Sequence, residues 1–214
     1  MKKKKPVITM RDYSRIFRVV HSVSNSVGNM PGKACLFYNI VGAELLERNF
    51  KKKAQPIMGA AFVRLHDPSD TMVSYCSSLE EGEYASDRNA FHCWVQCENY
   101  AIDFTSPVYQ ESLSGVGCSH TIPRKRFQKH FSRMSKSHLE LLKEGDFYLH
   151  PNINLTSELL FDFSSSFAAT DLASICLKWF ERAPKKMLPE LSMINDLQEI
   201  TKIKLSKMKL SGAW

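Results

Sequence analysis

At 214 residues and 24.5 kDa the chain has the size of one ordinary domain, which excludes a pair of large ones. Its 43% apolar and 24% charged content is that of a core-forming chain rather than a disordered tail, and its longest apolar runs, Ala34 to Val41 and Ile57 to Val63, fall far short of the roughly 20 residues that span a bilayer. The net charge of +7 sits mostly at the two ends, on Lys2 to Lys5 and on Lys202, Lys204, Lys207 and Lys209, so the body between them is close to neutral and nucleic acid is not the favoured ligand.

The opening Met-Lys-Lys-Lys-Lys-Pro has the charge of a signal-peptide n-region, but polar residues follow it instead of an apolar stretch, and the expected location is the cytoplasm. Thr9 and Asp12 have capping-box spacing, and Tyr13, Ile16, Phe17, Val20, Val23 and Val27 recur at helical spacing, which predicts an amphipathic helix ended by Gly28. A tight loop, Asn29-Met30-Pro31-Gly32, leads to a second helix from Lys33 to Arg48 that is apolar on nearly every side and therefore belongs in the middle of the domain. From Gln55 the pattern changes. Ile57 to Leu65, Met72 to Ser77, Phe91 to Cys97 and Tyr100 to Thr105 read as four strands of an antiparallel meander, with Glu80 to Asn89 as a loop that walls a cleft.

Beyond Pro107 a long loop is expected up to Pro123, then helices at Ser135 to Lys143, Ala168 to Arg182 and Pro189 to Met208. The order predicts an α+β fold in one domain, with residues 6–107 holding a helix-and-sheet unit and residues 108–214 a mainly helical extension. The basic stretch Arg124 to Lys143, with Phe127 and Phe131 four apart, reads as a surface helix with solvated lysines.

Of the six cysteines, expected as reduced thiols, Cys35 stands out. It falls in the first turn of the buried helix, where free backbone N–H groups and the helix dipole favour a thiolate and can stabilise an oxyanion formed beside it. Period-two alternation puts His92, Trp94 and Gln96 on one strand face, so Trp94 and Gln96 are candidate cleft residues. A two-residue loop at Cys97-Glu98 or a four-residue loop at Gln96 to Asn99 sets His92 opposite Asp103, with Cβ atoms about 4.5–5.5 Å apart, close enough for the carboxylate to orient the imidazole. A slip of one residue sends Asp103 to the other face. His92, Cys93 and Cys97 do not make a zinc set, because His92 and Cys93 point to opposite faces, and no Cys-x-x-Cys pair exists; neither metal nor cofactor is expected.

A Cys at a helix start followed by His and Asp on neighbouring strands resembles the papain-like and transglutaminase-like superfamily of cysteine enzymes. His92-Cys93-Trp94 is similar to that superfamily's His-x-Trp strand, and Ile102-Asp103-Phe104-Thr105 to its Asp-Pro-Thr strand with Phe for Pro. The resemblance covers residues 28 to 107 and implies a papain-like or transglutaminase-like fold with Cys35 as nucleophile, His92 as base and then acid, and Asp103 as orienting carboxylate. It also implies Asn29 as an oxyanion donor and a peptide, amide or thioester as the acyl substrate. The alternative is a non-catalytic module of the same fold that contacts nucleic acid or an acidic partner through its basic helices.

Overall fold

A computed structural model describes residues 5–28, 34–67, 71–80, 83–114, 120–181, 187–194 and 197–214. Helix α1 spans Met10–Ser26, and the Thr9 side chain caps it by accepting from the Asp12 N–H at 3.1 Å. Tyr13, Ile16, Phe17, Val20 and Val23 are fully buried along one stripe, whereas Val27 lies past the helix end and is exposed, with Gly28 in the left-handed region at φ +77°. Helix α2, Ala34–Phe50, is packed against α1 and the sheet, which is why it carries apolar residues around most of its circumference.

The strands are β1 (Ala54–His66), β2 (Thr71–Tyr75), β3 (Ser78–Glu80), β4 (Glu83–Ala85), β5 (His92–Cys97) and β6 (Tyr100–Asp103). After α3 (Tyr109–Ser114) come β7 (Lys125–His130), β8 (Phe147–Pro151), α4 (Ile153–Ser165), α5 (Phe167–Glu181), β9 (Glu190–Ile194), β10 (Ile200–Lys204) and β11 (Gly212–Ala213). The main sheet runs β11-β7-β6-β5-β1-β2, with β8 also on β1, and is antiparallel except for the β11–β7 pair. The fold is α+β. On one face, α1, α2 and α5 cover Val95, Cys97, Ile102 and Phe104. On the other, Trp94, Ala101, Phe127 and Phe147 form a second core with Tyr109 and Leu113 of α3.

The four expected strands are present, but they do not form a simple meander. Strand β1 is long enough to pair with β5 over Ala54–Gly59 and with β2 over Ala61–His66, so the chain leaves after β2, forms the β3–β4 hairpin and returns to β1 as β5. The end of β2 thereby meets the start of β5, and Tyr75 stacks on His92 with ring centroids 4.5 Å apart.

The C-terminal half departs furthest from expectation. Residues 108–214 are not a mainly helical extension: β7 and β8 complete the central sheet. Residues Ser135 to Lys143 contain only a single 3-10 turn at His138–Glu140, and the segment Pro189 to Met208 is the β9–β10 hairpin, in which Leu191 and Met193 alternate inward. The three-residue spacing of Leu191, Ile194, Leu197, Ile200 and Ile203 mimics a helix although it is divided between two antiparallel strands. The basic segment from Arg124 is a strand rather than a helix, with Phe127 buried opposite Asp103. Three of its cations have partners within the chain: Arg124 with Glu111, Lys125 with Glu144, and Lys129 with the Gly145 carbonyl. Helix α4, capped by Asn152 at 3.0 Å from the Leu155 N–H, was not anticipated. Among the described residues no helix is long and apolar enough to cross a membrane.

Candidate active site

Three elements converge at one end of the sheet. Cys35 is the second residue of α2, where the backbone amides of the first turn have no partner within the helix. His92 opens β5 and Asp103 closes β6. The hairpin between those strands turns on Glu98-Asn99, with Glu98 at φ 54° and Cys97 paired to Tyr100. This register differs by two residues from the expected one, so its continuation sets Trp94 rather than His92 across from Asp103. A shift of two preserves the face, and the Asp103 carboxylate reaches back diagonally to the imidazole.

His92 Nε2 donates to Asp103 Oδ2 at 2.8 Å, and the two side chains are 2% and 3% exposed. Asp103 is held by many donors. Asn39 Nδ2 reaches Oδ1 at 3.0 Å, the Thr105 N–H reaches Oδ1 at 2.8 Å, and the Thr105 and Tyr109 hydroxyls add further bonds. Burial alone pushes the carboxyl up; the His92 charge and these hydrogen bonds outweigh it and hold Asp103 below the usual carboxylate range. Burial likewise disfavours the imidazolium, but the Asp103 charge and hydrogen bond, joined by the proximity of Cys35, push His92 up to about 10. The other ring nitrogen, Nδ1, is buried with no hydrogen-bond partner, and Cys35 lines the same cavity as the ring.

The site opens into a cavity of about 480 Å³ walled by Cys35, Tyr75, Cys76, Asn89, His92 and Ser112. The wall before the His strand is fastened from behind, since Arg88 bridges to Glu158 and Asp162 of α4 and Asn152 holds the Ser86 carbonyl at 3.1 Å. A larger groove of about 720 Å³ between α2, α4 and α5, lined by residues such as Ile40, Leu160 and Leu177, contains no thiol or imidazole among the described residues, so the chemistry points to the smaller cavity.

The structure thus brings Cys35, His92 and Asp103 together. It does not bring Trp94 and Gln96 to the cleft: Trp94 is 1% exposed in the second core, and Gln96 is exposed to solvent away from the cavity. Two residues along the strand from His92 is about 6.6 Å, enough to carry a side chain past the cavity mouth and into the packed face. Asn29 lies outside the described residues. Cys76 is half-buried on the cavity wall rather than a core residue, and Cys35, Cys76, Cys93, Cys97 and Cys176 are all free thiols.

Sequence reasoning missed four residues. Asn39, fully buried, ties α2 to both strands: it donates to Cys93 O at 2.7 Å and Cys35 O at 3.0 Å and accepts from the Phe104 N–H at 2.9 Å. Its signal is an amide within the apolar first half of α2, one turn after Cys35. Tyr13, Tyr75 and Tyr109 come from three separate elements and carried no local signal. Tyr13 donates to the Asp103 carbonyl and shares a 3.0 Å hydrogen bond with Ser106, which fixes the end of β6.

A thiol and a carboxylate-bound imidazole thus share one cavity at the start of a helix. The chain belongs to the family described as "Protein of unknown function (DUF2026)", whose model matches residues 9–214. It is also similar to the crystal structure of genomics APC5867, with 29% identity, 100% of each chain covered and a TM-score of 0.83. No curated protein matches it.

Proposed function

We propose that the chain is a cysteine-nucleophile enzyme of papain-like or transglutaminase-like fold that transfers or hydrolyses an acyl group through Cys35, His92 and Asp103. The observation that carries this reading is the buried imidazole: one nitrogen is bound to a carboxylate at 2.8 Å, and the other is left for a thiol at a helix N-terminus. A histidine placed for packing alone has no need of a buried carboxylate with so many donors, and burying such an ion pair is costly unless its geometry is good.

With His92 held as the imidazolium by Asp103 through Nε2–H, the reacting form of Cys35 is a thiolate paired with Nδ1–H. The thiolate adds to an amide, peptide or thioester carbonyl. The developing oxyanion meets the free N–H groups of the first turn of α2. His92 then protonates the leaving group, and water or an amine resolves the acyl-enzyme.

The test is thiol reactivity. Cys35 is expected to alkylate with iodoacetamide at neutral pH at least tenfold faster than Cys176, whose thiol burial pushes up, and faster than free N-acetylcysteine. His92→Ala is expected to abolish the excess. A Cys35 no faster than these references, or one indifferent to His92→Ala, overturns the proposal.

A further inference from the structure

We propose that the Tyr75 hydroxyl is the side-chain donor that receives the oxyanion beside Cys35, in partnership with the Cys35 backbone N–H. This assignment rests on the cysteine-nucleophile reading above. An oxyanion formed at a helix N-terminus gains most when a second, pre-oriented donor closes on it from the opposite wall, where low dielectric strengthens the bond.

Tyr75 is the last residue of β2, at the point where that strand gives way to β5 along the edge of β1. Its ring lies nearly parallel to the His92 ring, with an interplanar angle of 16°, which fixes it against the general base. Tyr75 lines the cavity that also holds Cys35 and Ser112 of α3. Burial, followed by the proximity of Cys35 and then Asp103, pushes the phenol well above its ordinary value. It therefore stays a protonated donor over the whole range in which a thiolate works. Tyr109, the other phenol on this cavity wall, is committed to the Asp103 carboxylate and cannot take this part.

In the step concerned, the Cys35 sulfur pair forms a C–S bond and the carbonyl π pair moves onto oxygen, which accepts from Tyr75 O–H without taking its proton. When the π bond re-forms the leaving group departs, as a phenolate from an aryl ester or with the His92 proton from an amide.

Alkylation and acylation separate this role from a structural one, because only acylation builds an oxyanion. Iodoacetamide and p-nitrophenyl acetate are compared on the full chain and on Tyr75→Phe, which keeps the ring, with label at Cys35 located by mass spectrometry and Cys35→Ser as blank. The expected result is alkylation within twofold of the parent and acylation slowed about 10²–10³-fold. Equal acylation in Tyr75→Phe, with Cys35 still rapidly alkylated, overturns this assignment alone. A parallel fall in both rates also overturns it, since it shows that Tyr75 positions His92 instead. A parent Cys35 that alkylates no faster than Cys176 removes the underlying triad reading, and this assignment with it.

Discussion

Replacing Asn39 by Leu tests how the site is held, because the two side chains are similar in size and the change removes hydrogen bonds while keeping volume. Asn39 is fully buried and bonds to Asp103 Oδ1, the Cys93 carbonyl and the Phe104 N–H at 3.0, 2.7 and 2.9 Å. Leucine leaves the Phe104 N–H and the Cys93 carbonyl without this partner, at about 1–3 kcal/mol each, and strips Asp103 of a charge-assisted bond of similar worth. The expected loss is about 4 kcal/mol, a large part of the roughly 5–15 kcal/mol that a domain has to lose. For a chain of this size it lowers Tm by about 8–16 °C. Urea unfolding gives the free energy and calorimetry the Tm. Alkylation of Cys35 in the folded variant is expected to slow as well, because the same amide binds the carboxylate that supports His92. An Asn39→Leu protein within 1 kcal/mol of the parent, with Cys35 unchanged, would refute the view that this amide bolts α2 to β5 and β6.

Two further outcomes follow from the same geometry. His92 is raised from 6.5 to about 10 and Asp103 is lowered from 3.8, so the pair's contribution is complete between about pH 4 and 6.5. It fades as pH rises from 6.5 through about 10, and is lost at the acid end as pH falls through the depressed Asp103 value. The stability difference between the parent and Asp103→Asn, from urea titrations across this range, should shrink on both sides, and a flat difference contradicts the ion pair. Gly42 faces Phe104 so closely that an added Cβ would overlap the ring, which is fully buried and stacked on Tyr13 at 4.9 Å. Gly42→Ala should cost about 1–3 kcal/mol and lower Tm by several degrees; an unchanged melting curve would show that the ring moves freely.

The elements legible in the sequence are those whose residues face one environment along their whole length. Helix α1 announces itself by a stripe and a cap, α2 by unbroken apolarity, and β1 and β5 by β-branched and aromatic runs. The segments expected as helices that form strands have spacings that two structures share. Phe127 and Phe131 are four apart, yet only Phe127 lies within β7, and the three-residue rhythm from Leu191 to Ile203 is divided between β9 and β10. Local periodicity cannot choose between these cases, because the choice depends on whether a sheet edge is available to receive the segment. For Lys125–His130 that edge is β6, which no neighbouring residue encodes.

The same division runs through the site. Residue type, order and period were enough to single out Cys35 at a helix start and to put His92 and Asp103 on one face, since a strand alternates with period two and a helix frees its first amides wherever it begins. Only the tertiary structure decided that the hairpin is offset by two residues, that Trp94 turns into a core, and that Asn39, Tyr75 and Tyr109 surround the pair. Those outcomes depend on contacts between residues far apart in the chain, such as Asn39 with Asp103 and Tyr75 with His92, which packing fixes and local sequence does not.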